Sequence, residues 1–427
     1  MNISVIGTGY VGLVTGAGLA EKGHNVVCVD VVKEKVGLIN SGRSPIYEKG
    51  LEEILKKNVG KRLRATTNLA DAVLGSDATF ICVGTPSKKD GSLDLQFVEN
   101  ASEEIGKVLS KKDPYHLVVV KSTVLPGTTE KTIVPILEKN SGKKAGAGFG
   151  VATNPEFLRE GVAIEDFMKP DRVVVGSLDK NSEEIMVKIY SCFDSQLLKT
   201  DIKTAEMIKY ASNAFLAAKI SFINEVGNIC KSLDINVYDV AKGMSMDHRI
   251  GPHFLNAGLG WGGSCFPKDL NALIYKAKEL GYEPSLLNAV VKVNAGQPAR
   301  LLGLARKKIK SFKGRKVAVL GLAFKGGTDD VRDSPNFPVI EGLLADGAKV
   351  TAYDPQAEKN AKSILGDRIE YSASAQHALK DAELALILTD WTEFESLDFS
   401  GMKEKKVIDA RNVVKNRTGI DYEGLCW

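Results

Sequence analysis

The segment Gly7-Thr8-Gly9-Tyr10-Val11-Gly12 lies between an apolar run at residues 3–6 and a helical stretch at 12–21. Few short patterns constrain a fold more. Glycines at this spacing let a strand turn sharply into a helix, and they leave room for a pyrophosphate against the bare helix N-terminus. The next apolar run, 26–29, ends on Asp30, 23 positions beyond Gly7. A carboxylate there accepts the ribose hydroxyls and repels a 2′-phosphate, so the pattern predicts NAD rather than NADP. A glycine turn alone is weak evidence, since a tight turn without a cofactor looks the same. The strand before it, the helix after it and the acid at the right distance decide the reading.

The alternation continues. Apolar runs at 3–6, 26–29, 79–83, 117–120, 149–152 and 172–175 read as buried parallel strands, with helices such as 12–21 and 95–109 between them. This predicts a doubly wound α/β domain over residues 1–200. Residues 201–312 differ. From 204 to 233 the only glycine or proline is Gly227, and Ile208, Ala211, Phe215, Ala218, Phe222, Val226, Ile229 and Leu233 recur in steps of three and four. That is one stripe of a helix of roughly 45 Å, serving either as core or as a subunit contact. Further helix is expected at 269–280 and 284–310. Residues 313–427 restart the first pattern: strand 316–320, a glycine turn at 321–327, helix 338–346, strand 349–353 ending in Asp354, and strands 384–388 and 406–408. The fold class is therefore α/β: two Rossmann-like doubly wound domains joined by a long central helix and a small helical region.

Composition sets limits on partners. The 57 basic and 53 acidic residues leave a net charge of +4, without a long basic run, so nucleic acid is not implied, whereas a small anionic substrate is allowed. No apolar run approaches the roughly 18 residues of a membrane helix, and no secretion signal opens the chain. The six cysteines are scattered and form no CxxC pair, which fits free thiols in a cytoplasmic protein better than disulfides or zinc; no metal site is expected.

Gly260-Trp261-Gly262-Gly263-Ser264-Cys265-Phe266-Pro267-Lys268-Asp269 is the most unusual stretch. Glycines give access around one cysteine, Lys268 favours a thiolate, and Asp269 can handle protons. A lone cysteine more often packs than reacts, but this accessible loop favours a nucleophile. Lys209 and Asn213 share one helix face, either as an exposed polar pair or aimed at an oxyanion. Asn154-Pro155-Glu156-Phe157-Leu158-Arg159-Glu160-Gly161 follows a strand at the sheet edge where ligands bind, which makes Glu156 and Glu160 candidate acid/base or binding groups. Lys121-Ser122-Thr123 and Val83-Gly84-Thr85-Pro86 also end strands. The second glycine turn carries Phe324 and Lys325, with Arg332 beyond, and reads as a phosphate loop.

Taken in order, GTGYVG, KSTVLPGT, NPEFLREG, EMIKYASNAF, GGSCFPKD and AFKGGTDDVRDSP resemble the UDP-glucose 6-dehydrogenase family of bacterial type, within the UDP-glucose/GDP-mannose dehydrogenases. The resemblance covers essentially the whole chain. It implies two successive NAD-linked oxidations of UDP-glucose to UDP-glucuronate through a thiohemiacetal and a thioester on Cys265. Lys209, Asn213, Asp269, Glu156 and Thr123 would assist. NAD would meet Gly7, Gly9, Tyr10, Val11, Gly12, Asp30, Lys35, Thr85, Thr123, Glu160, Lys268 and Arg332. The sugar nucleotide would meet Glu156, Phe157, Leu158, Arg159, Glu160, Lys209, Asn213, Phe254, Leu255, Asn256, Ala257, Gly258, Gly262, Phe324, Lys325 and Arg411, with Arg249 reaching in from a second subunit of a homodimer or higher homo-oligomer. Some members have lysine where Asn256 stands, and Trp261 replaces the more usual Phe or Tyr. Rival readings are a sister enzyme acting on GDP-mannose or a UDP-N-acetylhexosamine, and a non-catalytic NAD sensor, which would have no use for Cys265.

Overall fold

The computed structural model describes residues 1–427, which divide into two compact units, Met1–Ser212 and Asn213–Trp427. The first is built on β1 (Asn2–Ile6), β2 (Asn25–Val29), β3 (Leu63–Thr66), β4 (Ala78–Ile81), β5 (Leu117–Val120), β6 (Gly150–Thr153), β7 (Arg172–Ser177) and β8 (Gln196–Thr200), in the order β3-β2-β1-β4-β5-β6-β7-β8. The first six run parallel, in the doubly wound order, so the chain reverses direction between β1 and β4 and opens a crevice at their carboxyl ends. Ile3, Val5, Phe80, Val119 and Ala152 are fully buried, as expected of strands covered on both faces.

Two expectations need correction. The strand at 172–175 is not parallel to its neighbour: β7 runs antiparallel to β6, and β8 then pairs parallel with β7. A run that is apolar on both faces carries no information about direction. Strands β3 and β8 were not expected, because they lie at the sheet edges; β8 is mostly exposed and lacks the continuous apolar signature.

The second unit carries β9 (Lys316–Leu320), β10 (Lys349–Tyr353), β11 (Glu370–Tyr371), β12 (Leu384–Ile387), β13 (Lys406–Asp409) and β14 (Asp421–Gly424) in the order β11-β10-β9-β12-β13-β14, all parallel. This repeats the order of the first six strands, so the internal repeat is one of topology. Short edge strands β11 and β14 again escaped the apolar criterion.

Five helices position the functional groups: α1 (Tyr10–Glu21), α2 (Ile202–Ser232), α3 (Val237–Ser245), α4 (Phe266–Glu279) and α5 (Ser285–Lys308). Helix α4 starts three residues before its expected beginning, with Cys265 as its N-cap and Pro267 in the first turn, where a missing N–H costs nothing. Along α2 the predicted apolar stripe is not core. Phe215, Phe222 and Ile229, with Leu233 just beyond the helix, are each more than half exposed. The buried face instead carries Glu206, Lys209, Asn213, Ser221 and Asn224 among small residues such as Ala205 and Ala217. No helix is long and apolar enough to cross a membrane.

Candidate active site

The glycine turn of the first unit has the shape its spacing predicts. Gly7 has φ +95°, and Gly12 approaches so closely that a Cβ there would lie 1.9 Å from the Gly7 carbonyl oxygen. Gly9 is the N-cap of α1 and no side chain caps the helix, so the first-turn amides face outward for an anion. Asp30 Oδ2 accepts from the Thr8 amide at 2.9 Å and the Thr8 hydroxyl at 2.5 Å, and Oδ1 accepts from the Val32 amide at 3.0 Å. Burial pushes this carboxyl up, but the Thr8 and Val32 donors and the Lys35 charge outweigh it and hold the pKa below its ordinary value. An ionised acid at the end of β2 beside bare helix amides fits the ribose and pyrophosphate of NAD. The turns after β4 and β5 are tied together, with the Thr85 hydroxyl donating to the Thr123 carbonyl at 2.8 Å. Tyr10 Oη and Glu48 both accept from the Gly161 amide, at 2.8 and 2.7 Å, which anchors the segment holding Glu160. Sequence reasoning missed Glu48.

In the same unit, Lys209 donates to Glu156 Oε1 at 2.9 Å, and Glu156 Oε2 accepts from the Leu158 amide at 2.6 Å. Both residues are about 95% buried. Burial alone would raise the Glu156 pKa, yet the Lys209 charge and hydrogen bond, the Leu158 amide and the Lys121 charge reverse that and lower it. Phe157 packs under the Arg172 guanidinium, 3.9 Å from the ring centroid. Lys121 is buried and donates to Asn154 Oδ1 at 2.9 Å, and burial lowers its pKa to about 8. Arg159 is mostly exposed and pairs with Asp166 at 2.6 Å.

In the second unit, Cys265 is half-buried, 3.5 Å from the Ser264 hydroxyl. As N-cap of a 14-residue helix, its sulfur stands at the positive end of the helix dipole, which favours the thiolate. One turn on, buried Asp269 accepts from Asn213 Nδ2 at 2.7 Å and from Lys268 Nζ at 2.5 Å. So Asn213 is no exposed polar residue. The loop leading to Cys265 is held from several sides. The Asn294 amide bonds both the N–H and the carbonyl of Trp261, at 2.8 and 2.9 Å. Gly258 is held by Asn224 and Gln297, both at 2.7 Å. The Trp261 indole donates to Ser221, which donates to the Val290 carbonyl. Gly262 is packed so tightly that a Cβ would lie 2.4 Å from the Asp333 carbonyl oxygen. Asn224, Asn294, Gln297 and Ser221 were not predicted. Spacing gave no signal for them: Ser221 and Asn224 fall between the positions of the apolar stripe, where polar residues are expected on an exposed face.

The second glycine turn differs from the first. Asp354, the counterpart of Asp30, accepts from the Leu322, Ala323, Gln356 and Ala357 amides and the Trp391 indole. Its acceptor capacity is spent within the protein, leaving none for a ribose. Lys325 lies 5.8 Å from the Phe324 ring centroid, and Arg332 pairs with Asp330 at 2.7 Å. Arg411 donates to three carbonyls, those of Leu388, Gly260 and Phe324, at 2.9, 2.9 and 3.0 Å. It therefore braces the cysteine loop against the second glycine turn. Leu255, Ala257 and Gly258 are buried, Asn256 is exposed, and Phe254 takes a left-handed φ of +63°. Arg249 is exposed and paired with Asp247 at 2.6 Å.

Three family profiles match along the chain: the UDP-glucose/GDP-mannose dehydrogenase NAD-binding domain over 1–194, the central domain over 203–296 and the UDP-binding domain over 318–416. A UDP-glucose 6-dehydrogenase of Haloferax volcanii is 49% identical, with 100% of each chain covered. A GDP-mannose 6-dehydrogenase of Pseudomonas savastanoi pv. phaseolicola is 40% identical, also with 100% of each covered. Among solved structures, a UDP-glucose dehydrogenase from the hyperthermophilic archaeon Pyrobaculum islandicum superposes with a TM-score of 0.95 at 45% identity, covering 100% of this chain and 97% of the other.

Proposed function

This chain belongs to the UDP-glucose/GDP-mannose dehydrogenase family of NAD-dependent oxidoreductases, and within it we propose that the substrate is UDP-glucose, oxidised by four electrons to UDP-glucuronate. The observation that carries the chemistry is the cysteine at the amino end of α4, half-buried in a loop held from several sides. The first glycine turn and Asp30 would hold NAD, which when bound would supply the hydride acceptor.

The contacts described above support the following roles. Loss of one hydride and one proton turns the C6 alcohol into an aldehyde. The Cys265 thiolate adds to the aldehyde carbon and gives a thiohemiacetal, so the aldehyde stays bound. Loss of a second hydride from that carbon leaves a thioester. Water then adds, the C–S bond breaks, and the carboxylate departs with the thiol restored. Lys209 and Asn213, each oriented by a buried carboxylate, supply the positive charge and the N–H that stabilise the oxyanions. Asp269, held between Asn213 and Lys268, serves the first proton transfer. Glu156 orients the hydrolytic water through its Lys209-bonded carboxylate. Thr123, Thr85, Lys35, Glu160, Lys268 and Arg332 complete the NAD contacts, and Phe157, Leu158, Arg159, Phe254, Leu255, Asn256, Ala257, Gly258, Gly262, Phe324 and Lys325 those of the sugar nucleotide.

A second copy of the chain covers Phe215, Phe222, Ile229 and Leu233, and its Arg249 reaches the substrate. Cysteines scattered along the chain without a CxxC pair suit a reducing cytoplasm. The decisive test supplies NAD with a panel of UDP-glucose, GDP-mannose and UDP-N-acetylhexosamines and follows NADH. Two NADH per acid with UDP-glucose preferred is the expected result. One NADH per product with free aldehyde refutes the thioester route, and preference for GDP-mannose moves the chain to the sister activity.

A further inference from the structure

Helix α2 buries a carboxylate on the face that carries Lys209. Glu206, one turn before Lys209 and on the same face, is only 3% exposed. Both of its oxygens are spent on backbone: Oε2 accepts the Gly127 N–H at 2.6 Å and Oε1 the Thr129 N–H at 3.1 Å. The segment so gripped is the turn that leaves β5 with Lys121, Ser122 and Thr123, and that passes through Gly127 at φ +91°. Its near end is already fixed. The Ser122 hydroxyl donates to the Val83 carbonyl at 2.6 Å, and the Thr85 hydroxyl holds the Thr123 carbonyl. Glu206 fixes the far end. An ionised acceptor makes shorter and stiffer hydrogen bonds than a neutral one, at the expense of desolvating a charge. That expense is visible in the carboxyl, whose pKa burial pushes up to about 7. An apolar residue would leave both N–H groups without an acceptor and a glutamine could accept from only one, so the carboxylate is the side chain that holds both.

We propose that Glu206 is a positioning residue for the dehydrogenation: it fixes the turn after β5, and with it Thr123, against the helix that carries Lys209. The inference rests on the roles assigned above to Thr123 and Lys209. Glu206→Gln tests it with a side chain of the same shape. The amide oxygen can keep one N–H, while the NH2 group is driven against the other. In assays with NAD and UDP-glucose at pH 8, kcat should fall about tenfold to a hundredfold, as for a small displacement near the reacting atoms. The nucleotide-sugar KM and the unfolding midpoint at that pH should hold. Unchanged kcat overturns the proposal, and so does a loss of kcat that comes with a matching loss of stability, the mark of a purely structural group. Hydrogen exchange at the Gly127 and Thr129 amides gives a readout independent of turnover. Faster exchange in Glu206→Gln supports the grip, and unchanged exchange overturns it. A parent protein that oxidises no nucleotide sugar would refute the functional reading, and the exchange result would still decide whether Glu206 holds the turn.

Discussion

The same carboxylate should leave a signature in the pH dependence of stability. Glu206 binds its proton with a pKa of about 7 in the folded chain, against 4.5 without its surroundings, because burial disfavours the charge. The folded state therefore holds the proton more tightly than the unfolded state. The stabilisation this provides is complete below pH 4.5 and is gone once the pH passes about 7. Integrating the two titrations, Glu206 contributes roughly 2–3 kcal/mol less at pH 8 than at pH 5. Glutamine has no proton to exchange, so Glu206→Gln should become more stable relative to the parent by that amount over the interval. Glu130, paired with Lys203 at 2.8 Å, and Lys131 beside Gly127 are the charged groups around the site. They are the same in both proteins and cancel in the difference. For a unit of this size the effect is a relative shift of roughly 5–10 °C in the midpoint. Calorimetry of both proteins at half-unit steps from pH 5 to 8 measures it. Parallel midpoint curves would show that Glu206 is ionised throughout with an ordinary pKa, and the burial argument would fail.

Cys265→Ser should bind NAD and UDP-glucose yet lose nearly all acid formation, because a hydroxyl is a far weaker nucleophile than a thiolate; acid release within tenfold of the parent, measured by chromatography of the product, would exclude covalent capture. Lys325→Ala removes one charge-assisted hydrogen bond, about 1.5–3 kcal/mol, so initial-rate kinetics should show the nucleotide-sugar KM raised at least about tenfold with NAD affinity intact. Gly262→Ala places a Cβ 2.4 Å from the Asp333 carbonyl oxygen, and the loop shift that follows should cost about a hundredfold in kcat; parent-like turnover would mean that the cysteine loop is not fixed there. Phe222→Glu puts a charge in the middle of the exposed stripe and should leave a monomer in sedimentation velocity, whereas an unaltered oligomer would place the subunit contact elsewhere.

The sequence by itself determined the parts that depend on local geometry. Glycine spacing at 7, 9 and 12 fixed the first turn, because only glycine tolerates the contact between residues 7 and 12. Continuous apolar runs located the strands covered on both faces, and the helical period located α2. Cys265 was legible because its loop is too rich in glycine to be ordinary packing. Tertiary structure alone decided the rest. The direction of β7 depends on how the chain returns to the sheet, and edge strands such as β8 and β14 are set by their neighbours rather than by their own residues. Whether the apolar stripe of α2 faced core or solvent could not be read from a period that is the same in both cases; the answer came from which face the functional loops needed. That face is polar because Glu206, Lys209, Asn213, Ser221 and Asn224 each satisfy a buried donor or acceptor in a different segment. A buried polar group is stable only with its partner, and the partners lie dozens of residues away, brought into reach only by the folded chain.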